Sequence, residues 1–106
     1  MLFQPHLFSR TREFAREFAE ALYTADTALV LVIYPAREDP KPGVTSGLIA
    51  EHLGSGGSLV GPDGEAVQAL LAAAGAGDIV LTAGAGDVTA YGPLIVEALT
   101  AEAAGA

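Results

Sequence analysis

The first turn of a helix is the place where positive charge is least favoured, and this chain puts Arg10 and Arg12 there. The helix macrodipole already carries partial positive charge at that end, so two added cations imply an anion arriving to meet them. The stretch Phe3-Gln4-Pro5-His6-Leu7-Phe8-Ser9-Arg10-Thr11-Arg12 leads to this point. An apolar run closes on a proline and a histidine, and Ser9 follows as the expected helix cap. His6 stands just past a strand's carboxyl end, where open α/β sheets bind ligands; otherwise it is a plain cap on the sheet edge. Arg10 lies one turn ahead of Phe14 on the apolar stripe and is expected to aim its head into the crevice mouth. Arg12 is off that stripe, and is either an anion contact or a solvated charge. Arg16 has Glu13 and Glu20 at i−3 and i+4 and reads as an ordinary surface pair.

A second candidate is the turn Gly84-Ala85-Gly86-Asp87, which follows an apolar strand; Gly84, Gly86 and Asp87 are its expected anion-loop residues. It is not a dinucleotide loop, because Thr89 stands where the third glycine of G-x-G-x-x-G belongs, and no further strand follows to carry the ribose-binding acid. The nearly identical piece Ala74–Asp78 leads from a helix into a strand, so the two are not functional repeats. No P-loop signature occurs, no Cys/His cluster suggests a metal, and no Ser-His-Asp arrangement has positional support. Tyr34 is open between strand packing and ligand contact. Arg37 and Lys41 sit in a loop without an assigned role.

These residues need a scaffold, and the apolar pattern supplies one. Leu2–Gln4 is the end of a strand; a helix runs from about Arg10 to Tyr23, with Phe14, Phe18 and Leu22 at i, i+4, i+8 as its inward stripe. Thr27–Tyr34 lacks polar alternation, as a parallel strand covered on both faces should. Pro35, Pro40 and Pro42 hold the next connection extended. Thr45 or Ser46 caps a short helix to Leu53, and Ser58–Val60 is a weak third strand. Asp63 caps a helix carrying Val67, Leu70 and Leu71, which Gly75 and Gly77 end. Asp78–Thr82 is the fourth strand, and a last helix lies around Pro93–Leu99. Strict alternation of strand and helix implies a parallel sheet with right-handed crossovers in a three-layer α/β/α sandwich.

The chain has 106 residues, enough for one domain with a modest core. Its net charge of −8 argues against nucleic acid. The basic residues Arg10, Arg12, Arg16, Arg37 and Lys41 all precede residue 42, so an anionic ligand is held by the early loop–helix junctions or by backbone N–H groups. No apolar run approaches membrane-spanning length, no signal peptide is visible, and cysteine is absent. A soluble cytoplasmic domain is the expectation.

Three segments, in order, resemble the C-terminal domain of the Mur ligases, most closely the MurC type. They are FQPH-x-x-SRTR at Phe3–Arg12, Ile33-Tyr34-Pro35-Ala36-Arg37-Glu38 with Pro40, Pro42, Gly43 and Val44, and Gly84-Ala85-Gly86-Asp87. Leu7 departs from the pattern, since many MurC-type sequences have an arginine there. The resemblance implies a Rossmann-like, mostly parallel sheet with this chain's strands in order 4-1-2-3. It also implies that residues 1–106 are part of that domain, with a D-D-Y-x-H-H-P segment, a UDP-sugar domain and a central ATPase domain preceding it. The implied activity is an ATP-dependent ligase of peptidoglycan synthesis joining L-alanine to UDP-N-acetylmuramate through an acyl phosphate. His6, Arg10 and Arg12 would contact substrate, while ATP and Mg²⁺ would be held mainly by the other domains. This segment alone is then expected to hold no cofactor or metal and to be inactive. The alternatives are a stand-alone α/β anion- or nucleotide-binding module and a purely structural piece. The Asp78–Thr82 strand, left as a sheet edge, is expected to support a homodimer.

Overall fold

The computed structural model describes residues 1–84 and 86–105. Four short parallel strands, β1 (Leu2–Gln4), β2 (Ala28–Val30), β3 (Gly57–Leu59) and β4 (Thr82–Gly84), form one sheet in the order β3-β2-β1-β4. Read from the other edge, this is the expected 4-1-2-3. Between them run α1 (Phe8–Leu22), α2 (Gly47–Leu53) and α3 (Gly64–Ala73), and α4 (Val88–Gly105) closes the chain.

Side-chain alternation along the strands builds the two halves of the core. Ala28 and Val30 pack with Ala15, Ala19 and Leu22 of α1 and with Ile49 and Leu53 of α2. Leu2, Leu29 and Leu31 point the other way, onto Val67 and Leu70 of α3 and Val88, Tyr91 and Ile95 of α4. Helices α1 and α2 therefore cover one face of the sheet, and α3 and α4 the other. The crossover after β1 leaves on the first face and the helix after β4 on the second, so the switch point lies between these neighbouring strands.

Several boundaries differ from the sequence reading. Ser9 does not cap α1: it lies inside the helix, and the N-cap is Leu7, at φ 72°. The chain turns there because the Leu7 N–H donates to the Tyr34 carbonyl. The buried stripe of α1 is Thr11, Ala15, Ala19 and Leu22, while Phe14 sits at a kink and is 43% exposed. Small residues on that stripe let the helix sit close to the sheet, and the large Phe14 is displaced outward. Thr45, not Ser46, supplies the side-chain oxygen at α2, accepting the Gly47 N–H at 3.1 Å. Asp63 precedes α3 without a side-chain cap; its N–H donates to the Tyr91 hydroxyl at 2.6 Å. The last helix starts at Val88, earlier than expected, and carries Pro93 in its second turn, where the missing N–H spares only the exposed Thr89 carbonyl.

The fourth strand is Thr82–Gly84, not Asp78–Thr82. Asp78 is held in a turn, its N–H donating to the Gly75 carbonyl and its carboxylate accepting the Gly75 N–H. The pairing with β1 begins at Thr82, opposite Leu2, and Ile79 before it is 84% exposed. Beside this stretch, a cavity of about 390 Å³ opens at the amino ends of the strands, between Met1, Thr27, Leu29, Leu70 and Leu81.

Candidate functional site

At the carboxyl ends of β1 and β2 the ladder gains a residue. Leu2 pairs with Leu29 and Phe3 with Val30, but His6 pairs with Tyr34, so β2 contributes one more residue than β1 over that stretch. Such a bulge reverses the facing of every side chain beyond it. Without it Tyr34 would share Val30's face, toward α1. With it Tyr34 shares the face of Leu31 and points, like its partner His6, toward the side of α4. The two rings are stacked, 6.1 Å between centroids and 22° between planes.

The Tyr34 ring also settles why residue 86 is a glycine. Gly86 has φ 84°, and a Cβ placed on it would run into that ring. Gly84 has φ 121°, and a Cβ there would strike the Gln4 carbonyl on β1. Both glycines thus have a packing reason to exist, independent of any ligand. Ala85 of the same expected turn lies outside the described residues. Asp87 is exposed, and its carbonyl accepts the Ala90 N–H at 3.0 Å.

Sequence reasoning missed Gln4. It is almost fully buried, and its side chain links three elements. Its Oε1 accepts the Val88 N–H at the start of α4 at 2.9 Å, and its Nε2 donates to the Val32 carbonyl within the bulge at 3.3 Å. The next residue is Pro5, which has no N–H to offer that carbonyl. One amide therefore closes the bulge and caps a helix. The first helical N–H of α4, directly after the expected anion loop, is engaged by the protein itself.

Arg10 and Arg12 are both exposed, on either side of the wholly buried Thr11. Residues two apart on a helix do not share a face, so their heads diverge. The structure unites His6, Tyr34, Gly84 and Gly86 around Gln4. It leaves the two arginines in solvent, Arg10 on the first turn of α1 and Arg12 at the start of the second, at the neighbouring mouth of the switch point. The stripe expected to carry Arg10 inward is not the buried one, since Phe14 is itself exposed. Arg16 lies further along, lining a shallow groove with Glu20, Tyr23 and His52. Among the described residues no group of three or more His, Cys, Asp or Glu is placed to hold a metal ion.

No protein-family model matches the chain. Individual proteins do. It is 74% identical over 105 residues to the UDP-N-acetylmuramate–L-alanine ligase of Arthrobacter sp. strain FB24, covering 99% of this chain and 22% of that protein. The ligase of the same description from Paenarthrobacter aurescens strain TC1 is 73% identical over 99 residues, 93% of this chain and 21% of the relative. That of Streptomyces coelicolor is 57% identical over 103 residues, 94% of this chain and 22% of its own. The chain is a relative of the Mur ligases. It spans about a fifth of the length of the curated relatives it matches. The resemblance read from three short segments thus extends along nearly the whole sequence. No helix among the described residues is long and apolar enough to cross a membrane.

Proposed function

We propose that residues 1–106 act as part of the C-terminal domain of a cytoplasmic, ATP-dependent ligase that joins L-alanine to UDP-N-acetylmuramate in peptidoglycan synthesis. The observation that carries this reading is the 74% identity, over 99% of the chain, to a ligase of that description. The position of His6 at the sheet's switch point supports it. In this reading the domain closes over the rest of the enzyme, positions the incoming amino acid and keeps water from the acyl phosphate. Arg10 and Arg12 present guanidinium groups to the carboxylate or phosphate, and His6, held by Tyr34, orients it by hydrogen bonding. Phosphoryl chemistry requires ATP and Mg²⁺. In this reading both are held mainly by the remainder of the ligase, and the segment alone is inactive.

A homodimer through the open edge of β4 belongs to the same proposal. Its outer N–H and C=O groups and the exposed Ile79 and Leu81 just before it invite the same edge of a second copy.

A graft tests the ligase reading. This chain replaces the matching segment of the Arthrobacter ligase, and ADP formation dependent on L-alanine and UDP-N-acetylmuramate is followed. The expected result is activity within about tenfold of the parent. A folded chimera that binds nucleotide but makes no product would support the alternative, a binding module without ligase function.

A further inference from the structure

Helix α1 begins with a deficit. Its N-cap, Leu7, has no side-chain acceptor, its first turn contains no acid, and Arg10 in that turn is followed by Arg12 at the start of the next. A helix start normally receives a Ser, Thr, Asp or Asn oxygen, and loses stability without one. Here the missing acceptor comes from far along the chain. Glu38, in the loop between β2 and α2, turns its carboxylate onto the start of α1. Oε1 accepts the Ser9 N–H at 3.1 Å, and Oε2 accepts the Ser9 hydroxyl.

The loop is built to deliver it. Tyr34 donates its N–H to the Pro5 carbonyl and accepts the Leu7 N–H, which ties the root of the loop to the root of the helix. A tight turn follows, closed by Glu38 N–H to the Pro35 carbonyl, with Ala36 at φ 54°. Leu7 itself, a bulky residue at φ 72°, is held on its other side by Thr11, whose N–H and hydroxyl both donate to the Leu7 carbonyl. Strained backbone of this kind persists only where the surroundings over-determine it.

We infer that Glu38 is the positioning residue of the His6–Arg12 junction: its carboxylate caps α1 from outside, neutralises the helix pole and locks the β2–α2 loop to it. A consequence for ligand binding, which rests on the ligase reading, is that an incoming anion meets guanidinium groups and not the Ser9 N–H, which is already taken.

The Ser9 hydroxyl above all, then the Ser9 and Phe8 N–H groups and the charge of Lys41, hold the Glu38 carboxyl below its ordinary value of 4.5, against desolvation acting the other way. Lys41 is the charged residue that acts on it; Arg37 and Asp39 adjoin it in the loop sequence, and Arg10 and Arg12 adjoin and follow its partner Ser9 on α1. A depressed folded pKa means that the clasp's contribution is complete above the unfolded value and is lost as pH falls through the folded one. The clasp is therefore closed at neutral pH and opens only below about pH 4.5.

The test uses the 106-residue chain and NMR, so it does not depend on ligase activity. In wild type, the Ser9 amide shift should titrate with a midpoint below 4.5, and Glu38→Gln should abolish that titration. Glu38→Ala should speed Ser9 amide exchange on the order of tenfold, as loss of an N-cap does, while the Ala15 and Ala19 amides keep their protection. Inorganic phosphate should shift the Arg10 and Arg12 side-chain resonances in wild type and leave the Ser9 amide in place. An unchanged Ser9 titration in Glu38→Gln, or a Ser9 amide that follows phosphate in wild type, would overturn the inference. The wild-type titration needs no variant to fold.

Discussion

Replacing Gln4 by methionine should destabilise the chain by roughly 2 kcal/mol, nearly all of it from one N–H group. Methionine has similar length and volume, so the cavity contribution is small. The Val88 N–H, at a residue with 2% exposure, loses its only acceptor among the described residues, and an orphaned buried donor costs about 1–3 kcal/mol. The Val32 carbonyl adds little, since its bond is 3.3 Å long and water reaches Val32, which is 57% exposed. For a domain of this size each kcal/mol lowers Tm by about 4–8 °C, so the melting midpoint should fall by roughly 8–16 °C. Thermal circular dichroism measures the shift, and a urea titration with an unchanged m-value confirms that stability alone has altered. Exchange of the Val88 amide should rise with it. Gln68→Met, at an exposed position of α3, is the control and should stay within about 0.5 kcal/mol. A Gln4→Met protein melting within about 2 °C of wild type, with Val88 still protected, would refute the claim that this side chain caps α4.

Gly86→Ala should cost about 2–3 kcal/mol, because it adds a Cβ against the Tyr34 ring to the strain of φ 84°; Gly43→Ala, at φ 75° with open space around it, should lose only about 1 kcal/mol. Equal urea midpoints for the two would count against the ring contact. In the grafted ligase, Arg10→Ala should lower kcat/KM by about 10²-fold, and Arg16→Ala, on a shallow groove beside Glu20, should change it little. Indistinguishable kinetics would remove the case for Arg10. Sedimentation equilibrium at high micromolar concentration should show a dimer that a Thr82→Pro change at the β4 edge weakens, since the Thr82 N–H faces away from β1 and proline withholds it; a monomer throughout would mean that the edge is simply solvated.

What the sequence made legible was whatever its local patterns encode. Apolar runs separated by amphipathic stretches fixed a parallel sandwich, and the strand order followed from the family resemblance. What it hid depends on partners remote in sequence. Gln4 and Val88 lie 84 residues apart, and Ser9 and Glu38 lie 29 apart. Nothing in the spacing of either residue announces its partner. The misplacement of Phe14 has another origin: an i, i+4 series of large apolar residues looked like the inward face, whereas close approach to the sheet favoured the smaller Thr11, Ala15 and Ala19. The one usable signal for Glu38 was an absence, a helix start with two arginines and no acid.

Two arginines at a helix start imply an external anion, and the structure divides that demand in two. The pole of α1 is met by an internal carboxylate, Glu38, and the first N–H of α4 by a neutral amide, Gln4. A carboxylate cancels the partial positive charge at its helix start; an amide satisfies the hydrogen bond and leaves that charge standing. The two helix starts beside the switch point are therefore not electrostatically equivalent. At α1 the Ser9 N–H is held by Glu38 and the guanidinium groups of Arg10 and Arg12 are what an anion can meet, while at α4 the partial charge of the helix start remains.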